Sequence, residues 1–264
     1  VEIIKASGEK EAFSTKKLAT TMREAGASKR LINETISLVK SKIKQNTTTE
    51  EILNITLKNL KKESGVAEKY NLKRAIMNLG PTGFPFEEFI AEILRNYGYK
   101  ATTDAKLKGK VIYQEVDVIA EKDKKFMIEC KYHNEPGTDT RLQPAMYTYA
   151  RFLDLAQYKF DQPWLITNTK CTSDALGYAR GVNLKITSWN FPKEESLLRL
   201  ITSKNLYPVT ILFLTNEIKE KLIMNKIVLL KTLIEKDLKE LYKRTNIPIK
   251  ELEKIQNKAR EILA

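Results

Sequence analysis

Gln114-Glu115-Val116-Asp117-Val118-Ile119-Ala120, then the charged tract Glu121–Lys125, then Phe126-Met127-Ile128-Glu129-Cys130-Lys131 make up the stretch on which the fold turns. Both flanks alternate apolar and polar residues at period two, the side-chain period of a strand, and the tract between them reads as a hairpin loop. If Ala120 pairs with Phe126, Asp117 lies opposite Glu129 and Glu115 opposite Lys131. Directly opposed Cβ atoms sit about 4.5–5.5 Å apart. That register predicts four charged groups on one face, with Val116, Val118, Ile128 and Cys130 on the other.

Opposed carboxylates repel, so a purely structural sheet has little reason to place them there. A divalent cation removes the repulsion. Mg²⁺, or Mn²⁺ in its place, takes hard oxygen ligands and keeps waters, which leaves positions for a phosphate and a nucleophilic water. Lys131, two residues beyond Glu129, is then placed to orient that water or to neutralise charge on phosphate. The competing account is a solvent-facing hairpin with ordinary cross-strand ion pairs. Upstream, Phe86, Phe89, Ile90, Ile93, Leu94 and Tyr97 form the apolar stripe of a helix over about Phe84–Tyr97. At 100° per residue Glu88 and Glu92 point away from the stripe, whereas Glu87 sits on its edge. Glu87 is therefore the carboxylate of that helix best placed to reach a site, or else a boundary residue reaching water.

The surroundings suit an α/β unit. Between Tyr99 and about Ile186, strand-like runs (Val111–Ala120, Phe126–Tyr132, Trp164–Thr167, Leu184–Trp189) alternate with helical stretches at about Arg141–Tyr158 and Ser173–Arg180. This order predicts a mixed sheet flanked by helices. Breakers at Gly80-Pro81-Thr82-Gly83 and at Pro192 divide the chain into 1–80, 81–192 and 193–264. Before the first break, Val1–Ala6 and Glu11–Phe13 flank a Ser7-Gly8 turn, followed by four helices, the last over about Val66–Leu79. After the second, the chain is helical, with breaks at Tyr207-Pro208 and Ile247-Pro248. The one-sided segment Ile247–Leu263 is open to DNA contact, subunit pairing or packing on the centre.

The 264 residues carry a net charge of +13, with 46 Lys/Arg against 33 Asp/Glu. Both ends are basic while the acids gather in the middle, a balance that favours polyanions such as DNA and is also met in solvated lysine-rich helices. The single histidine, His133, excludes multi-histidine metal sites and a Ser–His triad elsewhere; it reads as a structural or rim residue. Two cysteines give neither a disulfide framework nor zinc spacing, so a reducing cytoplasm is expected. No signal peptide opens the sequence, and no apolar run is long enough to span a bilayer.

Gly83-Phe84-Pro85-Phe86-Glu87-Glu88-Phe89, Asn96-Tyr97-Gly98-Tyr99, Glu115-Val116-Asp117-Val118-Ile119-Ala120 and Glu129-Cys130-Lys131-Tyr132 together resemble the core of the Mrr-like restriction endonucleases of the PD-(D/E)xK nuclease superfamily. The resemblance covers about residues 83–190. It implies catalytic roles for Glu87, Asp117, Glu129 and Lys131, the three acids as metal ligands. The Pro-Asp dipeptide of the superfamily's name is absent, Val116 preceding Asp117. Gln143 and Tyr147, with Arg151 one turn on, resemble the Gln-x-x-x-Tyr element of some of these nucleases and add Gln143 to the expected site.

Residues 1–80 resemble the ATP-cone, the nucleotide-sensing domain at the front of ribonucleotide reductases, through Ile4-Lys5, Gly8, Glu11-Ala12-Phe13-Ser14, Lys17-Leu18, Thr49-Glu50-Glu51-Ile52, Tyr70 and Arg74. The resemblance implies that Lys5 and Lys17 meet phosphates and that Glu11 and Thr49 contact bound ATP or dATP. Ala6 stands where the family often has a second basic residue. The leading expectation is a nucleotide-regulated, Mg²⁺-dependent DNA endonuclease of restriction or repair, which acts as a homo-oligomer. The alternatives are an inactive DNA-binding protein on the same fold, and a sensor that oligomerises with ATP or dATP.

Overall fold

The computed structural model describes residues 1–264. Its first third runs β1 (Glu2–Ile4), β2 (Lys10–Ala12), α1 (Thr15–Glu24), α2 (Lys29–Lys42), β3 (Thr47–Thr48), α3 (Thr49–Leu60), α4 (Val66–Tyr70) and α5 (Leu72–Met77). β1 pairs antiparallel with β2 and parallel with β3. Polar caps start the helices: Ser14 accepts the Lys17 N–H, Ser28 accepts that of Leu31, and Thr48 forms a capping box with Glu51. Met22, Val39 and Leu60 centre a 12-residue core between these helices. The single helix expected over 66–79 is divided at Asn71, which closes α4 and opens α5.

The central sheet is built from β4 (Lys100–Lys108), β5 (Tyr113–Glu121), β6 (Lys125–Lys131), β7 (Gln162–Thr167) and β8 (Lys185–Thr187), in that order. The first two pairings are antiparallel and the last two parallel. The parallel neighbours are joined by helical crossovers, α7 (Leu142–Asp154) between β6 and β7 and α8 (Ser173–Gly181) between β7 and β8. α6 (Phe84–Asn96) covers one face and its whole apolar stripe from Phe86 to Leu94 is buried. α7 and α8 cover the other. β6 shows the division: Ile128 belongs to the core beneath α6, whereas Met127 packs with Leu155 and Phe160 on the α7 side.

α9 (Leu197–Thr202), α10 (Asn216–Met224), α11 (Leu230–Glu235), α12 (Leu238–Thr245) and α13 (Ile249–Leu263) complete the chain. Leu252, Ile255 and Ala259 of α13 are buried in the same 38-residue core that holds Phe89 and Ile90 of α6 and Ile76 of α5. Of the three roles open to the last helix, the structure therefore shows packing on the centre. α13 also meets α4, through Ser64 to Glu261 at 3.2 Å and Lys258 to Glu68 at 3.4 Å.

Candidate active site

The β5–β6 ladder has the expected register, Ala120 opposite Phe126, but it stops at Val118–Ile128. Beyond that point the strands part. β5 stays with β4, and β6 stays with β7. The Asp117 carboxylate fills the fork: its Oδ2 accepts the Cys130 N–H at 2.7 Å. Two expectations need correction. Glu115 pairs with Lys106 rather than with Lys131. Val116 shares a cluster with Met127, Leu155 and Phe160, while Val118 lies with Ile128 on the other face. The physical reason sits at Asp104, opposite Asp117 between the pairs Thr103–Val118 and Ala105–Val116, which takes a left-handed φ of 59°. The β4–β5 ribbon turns over at that step, and strict alternation fails there.

Glu129 is 8% exposed. Tyr147 Oη donates to its Oε1 at 3.1 Å, and the Arg151 guanidinium donates to its Oε2. Burial and the adjacent Glu129 charge raise the Tyr147 pKa, which keeps this hydroxyl a donor. Asp117 is pushed up to about 7, first by burial and then by Glu129, against the Cys130 amide that favours its ionised form. Glu87, on the first turn of α6, is pushed up to about 8 by burial and by the charges of Asp117, Asp104, Glu129 and Glu115. Lys131 ends β6 half-buried, opposite Thr167 of β7. Glu87, Asp117 and Glu129 thus act on one another's charge where β5 and β6 diverge, and Lys131 follows Glu129 by two residues along β6.

Gln143 is exposed and makes no side-chain hydrogen bond; of its helix, Tyr147 and Arg151 reach the acids instead. Glu88 is buried rather than turned to water, held by Arg95 at 2.8 Å, Lys226 at 3.2 Å and Thr103 at 3.3 Å. A wheel drawn for α6 alone cannot show a lysine arriving from 130 or more residues downstream. His133 is structural: its N–H donates to Asn168 Oδ1 at 2.9 Å, its ring Nε2 lies 3.0 Å from Thr140 Oγ1, and burial lowers its pKa. Asp104 carries no mark in the sequence: its strand β4 alternates only weakly, with Ala101, Ala105 and Leu107 its sole apolar residues, and nothing local shows that position 104 takes a left-handed φ.

No three acidic, histidine or cysteine side chains converge closely enough here to hold a metal ion. The donor chemistry nevertheless fits one: Glu87, Asp117 and Glu129 offer hard oxygens, and burial together with neighbouring carboxylates raises the pKa of the first two. Arg151 compensates Glu129 alone.

Of the residues expected to meet a nucleotide, Lys5 and Thr49 line a cavity of about 520 Å³ with Asn71, Lys73, Arg74 and Pro136. Glu11 and Lys17 line a smaller neighbouring cavity that Thr49 also borders. Glu11 bridges the two lysines, at 3.1 Å from Lys17 and 3.4 Å from Lys5. The Asn71 Oδ1 is buried without a partner. Gly137, six residues past Lys131, abuts the β1–β2 turn so closely that a Cβ would lie 2.7 Å from the Ser7 nitrogen.

A parted sheet with acids and a lysine at the fork and helices on both faces is the architecture of a restriction-endonuclease-like core, and residues 81–200 match the family described as restriction endonuclease, Mrr catalytic domain. Residues 207–263 match a second family, AF1548-like, C-terminal. An uncharacterized protein of Archaeoglobus fulgidus is 39% identical over 176 residues, 66% of this chain and 96% of its own length. The crystal structure of AF1548, titled a protein of unknown function, aligns at a TM-score of 0.64 and 35% identity over 69% of this chain and 98% of that one. The chain belongs to this AF1548-like family, with an Mrr-type restriction endonuclease domain of the PD-(D/E)xK superfamily ahead of the family's C-terminal domain. No helix is long and apolar enough to cross a membrane.

Proposed function

We propose that the chain is a Mg²⁺- or Mn²⁺-dependent endonuclease that hydrolyses phosphodiester bonds of DNA in restriction or repair. One observation carries this reading: Asp117 of β5, Glu129 of β6 and Glu87 of α6 stand near enough at the fork of the sheet for their charges to act on one another, and burial with that repulsion pushes Asp117 up to about 7 and Glu87 up to about 8. Asp117, Glu129 and Glu87 would hold the cation, which when bound lowers the pKa of a water and draws charge from the phosphate. Loading requires Glu87 and Asp117 to lose their protons and Glu129 to loosen from Arg151. Tyr147 keeps its hydrogen bond to Glu129 and fixes that carboxylate's orientation. Lys131 offers its ammonium to the attacking water or to a non-bridging phosphate oxygen. The test is nicking of supercoiled DNA with and without Mg²⁺. Tight DNA binding with no cleavage in Mg²⁺ or Mn²⁺ would instead establish the inactive, DNA-binding alternative.

A second observation bears on regulation. The cavity of Lys5, Thr49, Lys73 and Arg74 has a basic wall, with Asn71 along it and Pro136 contributed from the loop after β6. It supports residues 1–80 as an ATP-cone that binds ATP or dATP without hydrolysing it, and that passes the effect to the nuclease domain or to oligomeric state. Calorimetry with ATP and dATP on the full chain tests this, with Lys5→Ala as the control. No heat of binding at millimolar nucleotide would end the proposal.

A further inference from the structure

The hairpin joining β4 to β5 ends in a tip that the core does not use. Val111 is 90% exposed, Ile112 62% and Tyr113 60%. Single exposed apolar residues are common, but three in succession at the end of a ribbon are not. The base of the tip is also tied down by hydrogen bonds. The Gly109 N–H donates to Ile112 O at 2.8 Å, the Lys110 N–H to Asp154 Oδ1 at 3.0 Å, and Gln114 Nε2 to Asp154 Oδ2 at 2.8 Å. Tyr158 Oη accepts the Lys108 N–H at 2.9 Å. A Cβ at Gly109 would lie 2.0 Å from Asp154 Oδ2, so only glycine fits this seat. The end of α7 thus holds the turn, and the apolar side chains project from a fixed base.

The chemistry around the tip selects a partner. Past the step at Asp104, the inner face of the ribbon carries Ala105, Leu107 and Val116 against α7, and the outer face carries Lys106, Lys108, Tyr113 and Glu115. Lys106 Nζ lies 5.9 Å from the centre of the Tyr113 ring, in keeping with that shared face. Lys110 adds a third exposed ammonium beside Val111. The outer face starts at the carboxylate fork, where Glu115 is close enough to raise the Glu87 pKa. Four residues of strand carry the ribbon from Asp117 to Tyr113, roughly 13 Å at about 3.3 Å per residue, and the turn holds Val111 and Ile112 beyond that point. That strand length corresponds to about four base-pair steps of B-DNA, since each rises about 3.4 Å. A two-stranded ribbon fits the major groove, and apolar side chains flanked by lysines are the means by which proteins wedge into a groove or between base steps.

We propose that the β4–β5 hairpin is a DNA-engaging arm: Lys106, Lys108 and Lys110 take phosphates while Val111 and Ile112 enter the groove, about four base pairs or more from the scissile bond. The inference rests on the nuclease reading of the fork. Its test uses the full chain carrying Asp117→Asn to prevent cleavage, with V111S/I112S or K108Q/K110Q added, and a fluorescein-labelled 30-base-pair duplex followed by anisotropy between 50 and 200 mM salt. V111S/I112S is expected to weaken binding about tenfold with the salt slope unchanged. K108Q/K110Q is expected to lower the slope of log K against log salt by about 2, since each neutralised phosphate contributes about 0.9. All four positions are solvent-exposed, and circular dichroism confirms the fold of each variant. Parent affinity and slope in both variants would overturn the arm while leaving the nuclease reading standing. So would a change in oligomeric state by light scattering with DNA affinity intact, which would assign the tip to a second copy of the chain. If the parent protein bound no duplex at 50 mM salt, the nuclease reading itself would fall and the arm with it.

Discussion

Asp104 and Asp117 face each other across β4 and β5, and Asp104 holds a left-handed backbone, φ 59°, in the middle of its strand. Asparagine tolerates that conformation as well as aspartate does, so Asp104→Asn removes charge with little change in backbone cost. Asp104 raises the pKa of both Glu87 and Asp117. Its neutralisation should lower both, and the acid limb of the cleavage rate should move down by roughly half a pH unit. An unmoved or upward-shifted limb would remove Asp104 from the electrostatics of the site.

Asp117→Ala and Glu129→Ala should each abolish Mg²⁺-dependent nicking, since each removes a ligand contributed by one arm of the fork. Lys131→Ala should retain metal affinity, measured by Mn²⁺ calorimetry, and lose about 10²–10³ in turnover, the usual effect of removing one charge-stabilising donor. Full activity in any of the three, in preparations free of contaminating nuclease, contradicts the assignment.

Arg151→Ala leaves Glu129 buried without its counter-charge. Breaking such a pair costs about 3–5 kcal/mol. The variant should therefore melt well below the parent in EDTA and recover much of the difference in Mn²⁺, because the cation supplies the missing positive charge. Equal melting temperatures in EDTA, or a loss that Mn²⁺ does not touch, would show that the guanidinium does not serve this purpose.

Glu87 gives the metal-free protein a pH dependence whose sign is fixed. Its folded pKa of about 8 lies above the ordinary 4.5, so between those values the folded chain holds more protons than the unfolded one. Stability then falls as pH rises through that window; the cost is absent below about 4.5 and complete above about 8. Denaturant titrations in EDTA from pH 5 to 8 should show the decline, and Glu87→Gln should make it shallower, leaving the share that Asp117 contributes up to about pH 7. A parent protein that grows more stable over this range would refute the assignment of an uncompensated carboxylate.

Much of this architecture is legible in the residues. The Ala120–Phe126 register, the stripe of α6 and the alternation of strands with helices follow from periodicity, because each reflects burial against a neighbour close in sequence. What escapes depends on distant partners or on single backbone angles. Glu88 looks solvent-facing until Lys226 arrives beside it, and β4, an edge strand, carries only small or isolated apolar residues on its inner side. The reversal of face between Val116 and Val118 depends on one left-handed residue in the neighbouring strand. Gln143 satisfies a spacing pattern, yet its first-turn position leaves it in solvent while Tyr147 and Arg151, one and two turns on, lie over Glu129.

The core shared by α6 and the C-terminal helices makes residues 81–263 a single cooperative body, although they match two families. Phe89 and Ile90 have Leu229, Leu252 and Ile255 in one continuous interior with them, so neither segment can shed the other without wetting that interior. A protease that nicked the connection near Pro192 would leave two fragments still clasped together, co-eluting and melting in one transition. A chain cut down to the catalytic segment would have one side of α6 bare, its apolar stripe turned to water in place of α13.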